Sequence, residues 1–174
     1  MRRLISIAAL IAMPMAARAQ TPCLTAAEAE AIALVAMPDI LRQTGRVCTM
    51  LPPASLLRRP GGAFLARYDA AADAAWPAAR AAIVRLSDPA VDVLLQSDYA
   101  RPMLTSIFAP QVLGRVQASD CPTIDRLVTL LEPLPPRNTA GIIVATLQYL
   151  RAEKARGKPV VGIPDLPVCA AAKR

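Results

Sequence analysis

The chain has 174 residues, enough for one well-buried domain and too few for two. It is 55% apolar and 19% charged, so it can build a core, but 3% aromatics and 17 prolines disfavour a β-sandwich, whose strands draw on Val, Ile, Thr and aromatic side chains. The formal charge is +7 and there is no histidine, which excludes Ser-His-Asp and Cys-His nucleophiles and the usual zinc, copper and non-haem iron sites.

Residues 1–19 read as a secretory signal. Arg2 and Arg3 precede the apolar stretch Leu4 to Met15, and Ala17-Arg18-Ala19 offers a small-x-small cleavage site, predicting a mature start at Gln20. The stretch is short for a membrane span, and no later run reaches the roughly eighteen apolar residues that a span needs. The mature chain, 20–174, is expected to be one exported domain, periplasmic or secreted, with no transmembrane segment. Residues 1–19 carry Arg2, Arg3 and Arg18 and no acid, so 20 less 3 basic residues remain against 13 acids, a charge of +4. That suits solubility and is far from a nucleic-acid footprint, so no nucleic-acid partner is expected.

Thr25-Ala26-Ala27-Glu28 matches a capping box at the start of the first helix, with Ile32, Val35 and Ala36 at helical spacing. Pro38 either kinks this helix or starts a second, and Gly45 is a natural stop. Leu51-Pro52-Pro53 and Arg59-Pro60-Gly61-Gly62 punctuate an irregular segment with one turn of helix near Ala54 to Arg58. Leu65, Tyr68, Ala72, Trp76, Ala79, Ile83 and Leu86 then step by three or four residues, the spacing of one buried stripe. The stripe keeps phase across Pro77, predicting a kinked pair of helices with one shared face.

Ser87-Asp88-Pro89 signals another start, with Val91, Leu94 and Leu95 facing inward. Pro102 and Pro110 divide the following apolar run into short helices. Ile124, Leu127, Val128 and Leu131 form a face after Ser119-Asp120-Cys121-Pro122. Asn138 is placed to cap the last helix, which runs to Gly157 with cations gathered at its end. The segment Pro159 to Cys169 is expected to lie extended across the bundle, with Pro159-Val160-Val161 the longest strand-like run. The fold class that results is all-α, a single irregular bundle of about six short, Pro-kinked helices with an extended C-terminal tail.

Cys23, Cys48, Cys121 and Cys169 make an even set with no C-x-x-C spacing, which reads as two structural disulfides. Sequence leaves three connectivities open. An antiparallel hairpin of the last two helices would return the tail to Cys121, favouring Cys121–Cys169 and leaving Cys23–Cys48. That second bridge needs the kink at Pro38, because a straight helix from Thr25 to Thr44 would span about 30 Å.

No nucleotide-binding, nucleophile-elbow or EF-hand motif is present, no S-x-x-K precedes any of the three lysines, and no cofactor is implied. Asp69 with Asp73 and Asp88 with Asp92 stand at i, i+4, a spacing that serves proton sharing or, equally, a solvated face or helix cap. Arg42, Arg46, Arg58 and Arg59 surround Cys48 in sequence and form a candidate anion-binding patch for an anionic envelope surface or another envelope protein. Tyr68, Trp76, Tyr99, Phe108 and Tyr149 are the large side chains available to line a pocket. The leading functional expectation is a non-enzymatic binding or accessory role in the envelope. The alternatives are a carboxylate-dependent hydrolase of an envelope or wall polymer, using two of Glu28, Asp69, Asp73, Asp88 and Asp92, and a small apolar-ligand carrier.

Overall fold

The structure, a computed structural model, describes residues 22–88, 90–114, 116–160 and 166–169, with the side chains of 107–113 left aside. Residues 1–19, expected to be a secretory signal, lie outside the described residues, as do Pro89 and Val161. Among the described residues six α-helices make up the bundle: α1 (Ala26–Val47), α2 (Ala63–Leu86), α3 (Ala90–Leu95), α4 (Ala100–Leu113), α5 (Cys121–Leu131) and α6 (Pro136–Ala155). Two 3-10 turns, Leu56–Arg58 and Ala118–Asp120, precede α2 and α5. No strand is formed among the described residues; Leu24 and Val168 make an isolated parallel bridge.

The capping box at Thr25 forms as the sequence implies. Glu28 N–H donates to Thr25 Oγ1 (3.3 Å), and the Thr25 N–H donates to Glu28 Oε2 (2.8 Å). Beyond the cap, α1 takes the first of the two courses open at Pro38, a single helix, and departs from expectation at Gly45. It runs without interruption through Pro38 and past Gly45, 22 residues or about 33 Å. Pro38 forfeits one backbone hydrogen bond, but it is buried in line with Leu34, Met37 and Leu41, and that packing offsets the loss.

Gly45 does not end the helix. An added Cβ there would lie 2.0 Å from the Leu57 carbonyl oxygen, so its bare Cα is what lets the Leu56–Arg58 turn close onto α1. The residue that serves as a helix stop is Gly157, at φ +83°. It ends α6 in a Schellman motif, in which Lys158 N–H bonds the Glu153 carbonyl (3.2 Å) and Gly157 N–H that of Lys154 (3.0 Å).

α1 is the central helix and packs against α2, α6 and α4. The stripe on α2 is upheld: Leu65, Tyr68, Ala72 and Ala79 are buried, and Trp76, Ile83 and Leu86 are partly so, along one 24-residue helix that contains Pro77 rather than a broken pair. Tyr68, 2% exposed, keeps its hydroxyl satisfied by Thr139 Oγ1 at 3.1 Å. One core region gathers Met37, Leu41, Leu51, Leu57, Phe64, Leu65, Tyr68 and Val128 around Cys48 and Cys121. Another joins Leu24, Ala29, Ala82 and Val144, with Ile32, Leu86 and Val168 packed on them. These regions mark opposite ends of α1, so α2 and α6 both run antiparallel to it.

That arrangement overturns the preferred cysteine pairing. The bridges are Cys23–Cys169 and Cys48–Cys121, with Cα separations of 5.1 and 5.6 Å. The unbroken α1 holds Cys23 and Cys48 at its two ends. α5 does not form a hairpin along α6 but packs on the two 3-10 turns, while α6 runs on toward the start of α1. Residues 166–169 therefore lie beside Cys23. There Leu24 N–H bonds the Pro167 carbonyl (2.7 Å), Cys169 N–H bonds that of Leu24 (2.7 Å), and Arg151 reaches the Leu166 and Val168 carbonyls.

Other expectations also shift. Asn138 lies inside the first turn of α6, which starts with Pro136 at N1, where a missing N–H costs nothing. α4 continues through Pro110, and Pro102 sits in its first turn. Leu94, 69% exposed, faces solvent because six-residue α3 buries only Leu95, and Leu127 is exposed because α5 is covered on one side alone. Pro159 and Val160 form no strand.

Candidate binding surfaces

The Leu56–Arg58 turn, admitted by Gly45, sets Arg58 and Arg59 beside the last turn of α1, where Arg46 stands. Arg58 Nη1 donates to the Gly45 carbonyl (3.3 Å) and Arg59 Nε to the Ser55 carbonyl (3.4 Å). The turn is anchored below by Ser55, whose hydroxyl donates to Asp125 Oδ1 at 2.5 Å and accepts the Leu57 N–H at 3.2 Å. Arg46, Arg58 and Arg59 are all exposed, and none takes part in an ion pair among the described residues.

Arg42 behaves differently. Its Nη2 meets both oxygens of Asp69 at 2.7 and 2.8 Å, and its Nη1 lies 3.5 Å from Asp39. Its charge is spent within the fold, joining α1 to α2. Of the four arginines grouped by sequence, three present unpaired positive charge and one does not.

The five carboxylates considered for acid–base chemistry are each engaged separately. Asp69 is held by Arg42, Asp73 by Arg101, and Asp92 by Arg80 at 2.7 Å with Gln96 at 3.1 Å. Asp88 accepts the Ala90 N–H at 2.8 Å, capping α3. Glu28 closes the capping box and pairs with Arg85 at 2.6 Å. The i, i+4 spacing of Asp69 and Asp73 thus serves two separate interhelical ion pairs, to α1 and to α4.

The Arg85 hydrogen bond, with those of Thr25, lowers Glu28 to about 2, and Arg80 followed by Gln96 holds Asp92 below the usual carboxylate range. A general acid must carry a proton at working pH, and these two environments favour the ionised form. Because the folded value of Glu28 lies below its ordinary 4.5, its stabilisation is present above pH 4.5 and is lost as pH falls toward 2. Thermal melting of the E28Q variant should therefore show a flatter pH dependence than wild type between pH 4.5 and 2. Identical slopes would show that the pairing contributes nothing.

The large side chains among the described residues do not converge on one cavity. Tyr68 is in the core, Trp76 packs with Ala31, Val35 and Ala79, and Tyr99 and Tyr149 are 77% and 61% exposed. The side chain of Phe108 lies outside the described residues. A concavity of about 490 Å³ does lie between α1 and the start of α4, lined by Asp39, Gln43, Asp98, Arg101, Thr105 and Ser106 among others. Sequence reasoning missed it, and no motif announces it, because its residues come from distant segments that meet only when α4 packs on α1.

No family model matches the chain, and no curated protein or solved structure shows significant similarity to it. What the protein does must therefore be read from its own surfaces. The two disulfides are bonds of an oxidising compartment, and no helix among the described residues is long and apolar enough to cross a membrane.

Proposed function

We propose that this protein is exported by cleavage of its N-terminal signal and acts in the envelope or outside the cell as a non-enzymatic binding or accessory factor. The observation that carries the reading is the trio Arg46, Arg58 and Arg59. All three are exposed, and Arg58 and Arg59 are braced by backbone carbonyls rather than carboxylates. Carbonyl bracing orients a guanidinium without cancelling its charge, which leaves its remaining N–H groups free for an anionic partner. The partner class that fits is an anionic envelope surface, with phosphate or carboxylate groups spaced along it.

The test is co-sedimentation with phosphatidylglycerol vesicles and with neutral phosphatidylcholine vesicles. Each basic residue near an anionic surface contributes about 1 kcal/mol, so R58Q/R59Q should weaken binding to the anionic vesicles about thirtyfold. The charge-matched variant R137Q/K154Q, at exposed positions on α6, should weaken it far less. Equal losses from the two variants, or wild-type binding that is indifferent to lipid charge, would dispose of the patch.

A further inference from the structure

The two disulfides sit in contrasting surroundings. Cys48 and Cys121 are 0% exposed and belong to the larger core region. Cys23 and Cys169 are partly exposed and join the N-terminal approach to α1 with residues 166–169. Residues 166–169 lie against an apolar face made by α1, α2 and α6. Val168 packs on the group formed by Leu24, Ala29, Ala82 and Val144, and Leu24 is only 1% exposed beneath it.

Two guanidiniums bind backbone carbonyls next to this outer bridge. Arg85 donates to the Cys23 carbonyl at 3.1 Å and shares its charge with Glu28, while Arg151 binds the tail carbonyls of Leu166 and Val168 and takes part in no ion pair among the described residues. The charge of Arg85 is spent on Glu28, so Arg151 supplies the uncancelled positive charge on this segment; positive charge nearby stabilises a thiolate, and a stabilised thiolate is the better leaving group in disulfide exchange.

We propose that Cys23–Cys169 is a redox latch, opened by a dithiol reductant while Cys48–Cys121 holds the helical body closed, and that opening releases residues 166–169 from the apolar face at that end of the bundle. One thiolate of the reductant attacks a sulfur of the outer bridge and expels the partner cysteine as a thiolate, leaving a mixed disulfide. The second thiol of the reductant then displaces the remaining cysteine. The reductant departs as a disulfide, having given up two electrons, and Cys23 and Cys169 each end with a proton. The reverse exchange closes the latch. Access governs the first step, and a bridge at 0% exposure offers no approach without unfolding. The latch stands apart from the arginine patch, which lies at the opposite end of α1.

The experiment is stepwise reduction of the mature protein with dithiothreitol, quenched by alkylation and mapped by peptide mass. Cys23 and Cys169 should be labelled at least about tenfold faster than Cys48 and Cys121. The far-ultraviolet helical signal should be unchanged at that stage, while amide exchange should rise at Leu24 and in the facing turns around Ala82 and Val144. Simultaneous opening of both bridges, earlier opening of the inner one, or loss of helical signal as the outer one opens would overturn the proposal. The C23S/C169S variant supplies a second reading. It should stay helical with the exchange pattern of the half-reduced protein, and a variant that is unfolded or exchanges like wild type counts against the latch.

Discussion

Replacing Gly45 by alanine should destabilise the protein by about 3 kcal/mol, lowering the melting temperature by about 6–12 °C. The added methyl would meet the Leu57 carbonyl oxygen at 2.0 Å, and this is backbone on both sides, with no flexible side chain to yield. Either α1 or the Leu56–Arg58 turn must move. Moving the turn withdraws Leu57, 5% exposed, from the core region around Cys48 and parts Arg58 from the Gly45 carbonyl. G45A should therefore lose part of its affinity for anionic vesicles together with its stability. Gly61 is the control: a Cβ there meets nothing within 4 Å, so G61A should stay within about 0.5 kcal/mol of wild type. Equal melting temperatures for the two variants would contradict the close approach.

Removing the inner bridge as C48A/C121A should cost more than removing the outer one as C23A/C169A. In the chain-entropy account the inner bridge, spanning 73 residues, contributes about 4.4 kcal/mol. The outer bridge spans 146 residues but encloses the inner one, so with the inner bridge closed its effective loop is about half that length and its entropic contribution is similar. Packing then decides between them. Cys48 and Cys121 are fully buried among Leu51, Leu57 and Val128, and truncating them also opens space in the core. Denaturant titration of both variants checks this; a smaller loss for the inner pair would show that core packing around it is not what distinguishes the bridges.

The two predictions rest on features of unequal visibility in the sequence. The capping box at Thr25 and Glu28 is local chemistry, complete within four residues, and it forms as its spacing implies. The α2 stripe was equally legible, because a period of three and four survives any detail of what covers it. Pro77 and Pro110 misled in one consistent way, and Pro38 left two courses open. Pro38, Pro77 and Pro110 all lie inside helices, since the hydrogen bond each forfeits is small beside the apolar surface that a long helix can bury in this bundle. The arginine patch was partly legible: Arg46, Arg58 and Arg59 remain open, but the loss of Arg42 to Asp69 depends on which face of α2 lies against α1.

From its sequence alone this chain was determined to be helical, to hold its four cysteines in two bridges, and to lack the histidine that many catalytic and metal centres require, because composition, period and parity are carried by the residues themselves. Tertiary structure decided which cysteines pair, what Gly45 is for, and which charges are cancelled. Those outcomes depend on the direction in which α6 runs along α1 and on contacts between residues far apart in the chain, and no local pattern encodes either.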